Sequence, residues 1–186
     1  PDLTYEDYLA FHKKYYHPSN SYLYLYGNMN MEEKLNWIDE NYLSHFEKIE
    51  VDSEVRLQKP FAERKEEYGF YSVTEGEDTE GKAYFSYNTV CGDGLDRNLY
   101  RAFPVLSYVL VQSIGAPLKQ ALLDAGIGND ISCYYEESVR QPFFSIIAKN
   151  VKMEQKQQFI TVIETELKKI VKEGLNQQSL LAAING

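Results

Sequence analysis

The chain has 186 residues, of which 44% are hydrophobic and 25% charged, the proportions of a globular domain rather than of a disordered or fibrous chain. Lys+Arg 19 against Asp+Glu 28 leaves a net charge of −9, the wrong sign for neutralising phosphates, so nucleic acid is not expected as a partner. No apolar run approaches the ~20 residues of a spanning helix and no signal-peptide pattern opens the chain, so no membrane partner and a cytoplasmic location are expected.

Thr4 stands three residues before Asp7, a capping-box-like start, and Tyr5, Tyr8, Leu9, His12, Tyr15 and Tyr16 recur near helical spacing. Pro18 disfavours helical geometry at His17 and ends this helix. Tyr22-Leu23-Tyr24-Leu25-Tyr26 has no polar alternation and predicts a strand covered on both faces. Asn30 caps a second helix, with Leu35, Ile38, Tyr42 and Phe46 on one face. Residues 47–63 are charged, aperiodic and broken by Pro60, and read as a linker.

Beyond the linker, Arg64 to Thr74 predicts a strand with Tyr68, Phe70 and Ser72 on one face and Tyr71 and Val73 on the other. An acidic turn, Glu75 to Gly81, leads into a second strand, Lys82 to Cys91, in which Phe85, Tyr87 and Thr89 alternate with Tyr84, Ser86 and Asn88. After the Gly92-Asp93-Gly94 loop comes a long apolar helix carrying Leu99, Phe103, Leu106, Val109 and Leu110, with Pro104 near its first turns. Gly115-Ala116-Pro117 starts a short helix, Leu118 to Ala125, closed by Gly126. Asp130 to Ser138 and Phe143 to Lys149 flank Arg140-Gln141-Pro142 as a hairpin. Residues 152–173 form an amphipathic helix with Phe159, Val162, Ile163, Leu167 and Ile170 inward, ended by Gly174, and Asn176 caps a last helix. The order β-β-α-α-β-β-α-α predicts an α+β fold, layered helices on a largely antiparallel or mixed sheet. Pro1 in place of Met, and a helical pattern that stops at Gly186, predict a piece of a longer polypeptide.

The search for chemistry is short. The histidines are His12, His17 and His45, and neither HExxH nor HxxEH occurs. His12 and His17 diverge by roughly 140° around a helix, while His17 and His45 sit near helix C-termini, where positive charge is favoured. Cys91 and Cys133 are far apart and read as reduced, buried, inert thiols rather than a disulfide or a nucleophile. Gly92-Asp93-Gly94 lacks the Lys-Ser/Thr of a phosphate loop. Gly126 and Gly128 with Asn129 read as a helix stop and turn. Glu75 to Glu80 and Glu136-Glu137 lack the spacing of a calcium loop and read as solvated turns. No catalytic or metal-ligating residue is assigned, no cofactor is expected, and substrate-binding residues stay unassigned.

The stretch Leu3 to Asn20, LTYEDYLAFHKKYYHPSN, followed by Tyr22 to Asn28, YLYLYGN, resembles the pitrilysin/insulinase family of zinc metallopeptidases, in its presequence-protease branch. Ser113 to Leu122, Gly126-Ile127-Gly128, Arg140 to Ser145 and Ala182 to Asn185 are similar to that branch's second domain. The resemblance implies a long parent of four similar domains around a chamber, where a zinc held by HxxEH and a distal Glu hydrolyses unfolded peptides. HxxEH is absent here, so no catalytic or metal residue carries over. The resemblance assigns 1–46 to the end of the catalytic-type domain, 47–63 to a linker and 64–186 to the first part of the non-catalytic second domain. The chain is then a chamber-forming portion of a peptide hydrolase, inactive alone, whose partners are the remainder of the parent polypeptide and, in the parent, peptide substrates. It should leave apolar surface uncovered on the last helix and around Tyr22 to Tyr26, which makes self-association an expectation. The alternatives are a non-catalytic scaffold module that reuses the fold and an α+β domain with an unrelated binding role.

Overall fold

In the computed structural model, which describes residues 2–185, Thr4 starts the first helix for a local reason. Its hydroxyl oxygen accepts the Asp7 N–H at 3.1 Å, and the Asp7 carboxylate accepts the Thr4 N–H at 3.4 Å. Two otherwise unpaired donors are thereby satisfied. Pro1 and Gly186, on which the expectation of a longer polypeptide partly rests, lie outside the described residues.

The chain divides into two units, Pro1–Val55 and Arg56–Gly186, with the division inside 47–63, a stretch that carries no helix or strand. The first unit holds α1, Tyr5–Tyr15, a single 3-10 turn at Pro18–Asn20, and α2, Met31–Asn41. The Asn20 amide donates to the Tyr15 carbonyl at 2.9 Å and closes the end of α1. Asn30 caps α2 through Glu33 N–H at 3.3 Å. The expected strand at Tyr22 to Tyr26 does not form. A strand exists through its ladder of hydrogen bonds, and no segment among the described residues supplies a partner. Tyr22, Tyr24 and Tyr26 are instead exposed, at 105%, 83% and 84%. None of the described residues of this unit is buried.

The second unit carries the core. Three strands, β1 (Ala83–Val90), β2 (Asp130–Glu136) and β3 (Phe143–Val151), form an antiparallel sheet in the order β1-β3-β2. The β2-β3 hairpin follows the expected boundaries closely, with Ile131 opposite Ala148 and Tyr135 opposite Phe144. The other expected strand, Arg64 to Thr74, does not form, so the element order of this unit begins with one strand rather than two.

Four helices complete the unit: α3 (Arg97–Ser107), α4 (Pro117–Asp124), α5 (Lys156–Glu173) and α6 (Gln177–Asn185). Asp96 starts α3 by accepting the Asn98 and Leu99 N–H groups at 2.9 and 3.2 Å. Pro104 lies inside α3, not in its first turns as expected. The helix then widens into a π turn, Tyr108–Gln112, in which the Ser113 N–H reaches the Tyr108 carbonyl five residues back at 2.8 Å. Asn176 caps α6 through Ser179 N–H at 2.9 Å.

The period-two face of the sheet with Phe85, Ile131, Phe144, Ile146 and Ala148 packs with Val111 of the π turn, Leu118 and Leu122 of α4, and Phe159, Ile160 and Ile163 of α5. Phe159 sits at the centre, 2% exposed, its ring 5.5 Å from Phe85. Each such side chain contributes about 1.5–3 kcal/mol by leaving water.

Candidate functional site

His12 and His17 are each engaged by nearby groups. His12 stacks on Tyr16, one turn on along α1, with ring centroids 4.6 Å apart and planes 12° from parallel. The Nδ1 of His17 accepts the Ser19 N–H at 3.1 Å, while its ring meets Phe46 edge-on at 5.4 Å. That leaves His17 fixed by the 3-10 turn that Pro18 begins. His45 closes a second such turn, Leu43–His45. Among the described residues no three of His, Cys, Asp or Glu gather in a way that could hold a metal ion.

The two thiols lie in the second unit. Cys91 is buried and directs its Sγ at the Thr89 carbonyl, 3.3 Å away, whereas Cys133 is half-buried and faces the Ser107 carbonyl at 3.7 Å. Burial pushes both thiols above their ordinary range, which opposes formation of the nucleophilic thiolate.

The Gly92-Asp93-Gly94 loop proves to be a latch. Asp93 pairs with Arg140 at 3.0 Å, the Gly94 N–H donates to the Arg140 carbonyl at 2.9 Å, and the Cys91 N–H donates to the Pro142 carbonyl at 2.7 Å. A Cβ on Gly94 would stand 2.8 Å from the Val139 carbonyl oxygen, so glycine is required by close backbone approach. This loop therefore ties the end of β1 to the β2-β3 turn.

The acidic turns are likewise committed. Glu77 pairs with Lys82, whose ammonium holds the carboxyl below the usual carboxylate range, and Glu80 pairs with Lys152 at 3.2 Å. Glu136 accepts from the Ser138 and Tyr134 hydroxyls, which lower its pKa and raise that of Tyr134.

Clefts form among the described residues of each unit. One, of about 320 Å³, is lined in part by His17, Pro18, Leu43 and Phe46. The other, of about 310 Å³, lies between residues 71–74 and β1, lined by Tyr71, Glu77, Lys82, Tyr84 and Asn150 among others. A further set of ties is announced by no sequence pattern. The Lys156 ammonium meets a Glu66 carboxylate oxygen at 2.8 Å and the Tyr68 hydroxyl at 2.7 Å, and Arg64 meets Glu164 at 2.9 Å. They join residues about ninety to one hundred apart in the chain, and only folding brings them together.

A family model described as Peptidase M16 inactive domain matches residues 2–186. Among characterised proteins, the chain is similar to Protein HypA of Clostridium perfringens, with 45% identity over 185 residues, covering 100% of this chain and 19% of that protein. It is 30% identical over 189 residues to Presequence protease 1, chloroplastic/mitochondrial, of Arabidopsis thaliana, covering 100% of this chain and 17% of the relative. The mitochondrial presequence protease of Xenopus tropicalis is 28% identical over 192 residues, with 100% and 18% covered. The chain thus spans about a fifth of the length of the relatives it matches.

Proposed function

The chain belongs to the peptidase M16 inactive-domain family, and from that premise we propose that it is a structural, chamber-forming portion of a zinc-dependent endopeptidase that degrades unfolded peptides, without catalytic activity of its own. In this reading residues 1–46 are the closing piece of a catalytic-type domain, 47–63 the linker, and 64–186 the opening part of the second, non-catalytic domain. The observation that carries it is the pairing of a complete core in the second unit with a first unit that has no buried residue among those described. Residues 2–55 form two well-capped helices, yet Tyr8, Phe11, Trp37, Tyr22, Leu23, Tyr24 and Tyr26 all face water. Helices of eleven residues are marginal without tertiary packing, so these faces call for a cover. The remainder of the parent polypeptide is the natural partner, given the small share of its relatives that the chain spans.

The zinc belongs elsewhere in that parent. Its coordination needs neutral imidazoles and carboxylates converging on one point. Here His12 is stacked, the Nδ1 of His17 is occupied by a backbone N–H, and neither is joined by acids into a ligand set. The residues present do not fit the ion, and no hydrolytic step is assigned to them.

The test is a peptide-cleavage assay on the 186-residue chain with added zinc and a chelator control. No chelator-sensitive cleavage is expected from the chain alone, and activity is expected once the upstream segment of the parent is supplied. Stoichiometric zinc and cleavage by the chain alone would overturn the reading. Silence in both arms would favour the non-catalytic scaffold.

A further inference from the structure

Residues 71–74 lie beside the start of β1 without joining it. Among the described residues β1 pairs with β3 alone, so alternate N–H and C=O groups along its other edge have no strand partner. The connection that would bring a partner there is already built. The Glu77 N–H donates to the Thr74 carbonyl at 3.0 Å, the Lys82 N–H to the Thr79 carbonyl at 3.3 Å, and Lys82 pairs with Glu77. Gly76 and Gly81 take the positive φ that such a reversal needs. Across it, the Tyr71 hydroxyl donates to the Lys82 carbonyl, and the Tyr71 and Tyr84 rings meet edge-on at 5.4 Å.

Placing Tyr71 opposite Tyr84 defines a register for antiparallel pairing. Phe70 then stands opposite Phe85, Ser72 opposite Ala83, and Tyr68 opposite Tyr87. Phe85 is buried, and Ala83 and Tyr87 pack against the core, so the period-two alternation puts Tyr68, Phe70 and Ser72 on the core side of the sheet. Phe70 at present is 101% exposed. The other end of the segment is also anchored, by the Lys156 contacts to Glu66 and Tyr68, on the helix whose Phe159 touches Phe85. Closing a segment held at both ends costs little further loop entropy.

We propose that residues 68–74 are a strap that zips onto β1 as a fourth strand in this register, covering the sheet edge and burying Phe70 beside Phe85. The strap is the chain's own cover for an edge that otherwise accepts foreign strands, and the unpaired arrangement is its open position.

Amide hydrogen exchange on the full 186-residue chain tests this. The closed strap protects amides within 68–74 tenfold or more over unstructured rates. Phe70→Ala lowers that protection by on the order of tenfold, the effect of losing one buried aromatic side chain, and leaves β3 unchanged. Exchange at unstructured rates in the parent chain, or protection indifferent to Phe70→Ala, overturns the proposal. Register is read separately by oxidative cross-linking mapped by mass spectrometry. The Gly69→Cys/Ser86→Cys pair, directly opposite in this register, should link, and the Tyr68→Cys/Ser86→Cys pair, on opposite faces, should not. Equal linking of the two pairs, or none in the first, overturns it.

Discussion

Replacing Gly128 by alanine puts a methyl group where the backbone leaves no room. Gly128 has φ +64, and a Cβ there would stand 2.5 Å from the Lys149 carbonyl oxygen and 3.1 Å from Val151 Cγ1. That oxygen also accepts the Asn129 N–H at 3.2 Å, and Asn129 and Asn150 are joined at 2.8 Å, so β3 cannot retreat without stretching these bonds. The left-handed conformation costs an L residue about 1–2 kcal/mol, and forcing atoms into a packed site adds about 1–3 kcal/mol. The expected loss of about 2–5 kcal/mol is a large share of the ~5–15 kcal/mol that holds a domain together. Gly126 supplies the control. Its φ is +69, but nothing lies within 4 Å of its would-be Cβ, so Gly126→Ala should cost only the conformational part. Both changes restrict the unfolded chain equally, and that effect cancels in the comparison. Urea unfolding followed by far-UV circular dichroism measures the difference. With a slope of about 1–3 kcal/mol per molar urea, the Gly128→Ala midpoint should fall by on the order of 1–3 M, and Gly126→Ala by well under that. Equal midpoints for the two variants would refute the role given to the Lys149 contact.

Phe159→Ala should cost about 3–5 kcal/mol in the same experiment, because the ring is 2% exposed at the centre of the core; a loss under 1 kcal/mol would mean the site collapses or the core lies elsewhere. Asp96→Ala should cost about 1 kcal/mol through its two N–H contacts at the start of α3, and Asp96→Asn should restore most of it. The Lys156 hydrogen bond and charge lower the Glu66 carboxyl, so its contribution is complete above the ordinary value of 4.5 and lost as pH falls through the depressed pKa. An NMR titration of the Glu66 side chain should therefore inflect below 4.5, and Lys156→Met should move the inflection upward.

Much of the second unit is legible from short-range signals. Asn176 caps α6, Pro117 opens α4, Gly174 ends α5, and the turn at Arg140-Gln141-Pro142 joins β2 to β3, each within a residue or two of its expected place. These features are set by backbone chemistry that neighbouring residues share. The two expected strands that stay unpaired, at Tyr22 to Tyr26 and Arg64 to Thr74, share one cause. Alternation and apolarity report which residues could be covered, whereas a strand also needs a partner to bond with, and no local pattern reports that. Likewise the Asp93–Arg140 latch and the Lys156–Glu66 tie join distant residues of ordinary types, which no local pattern pairs. Pro104 was misplaced because Asp96, rather than the proline, sets the start of α3.

The wide turn at Tyr108–Gln112 makes chain length itself a core parameter. Val109, Leu110 and Val111 are three consecutive buried residues, although successive side chains of an α-helix point about 100° apart. A π turn is in effect one extra residue accommodated within a helix. Removing one residue between Tyr108 and Gln112 would let ordinary winding return with the flanking residues near their present phase, so the Gly115-Ala116-Pro117 entry to α4 would keep its direction while the run of three buried side chains would shrink to two. Side-chain substitutions in this segment are therefore a matter of volume, a single-residue deletion trades the wide turn for an ordinary one, and it is a further insertion, for which the widened turn has no room left, that the fold should reject.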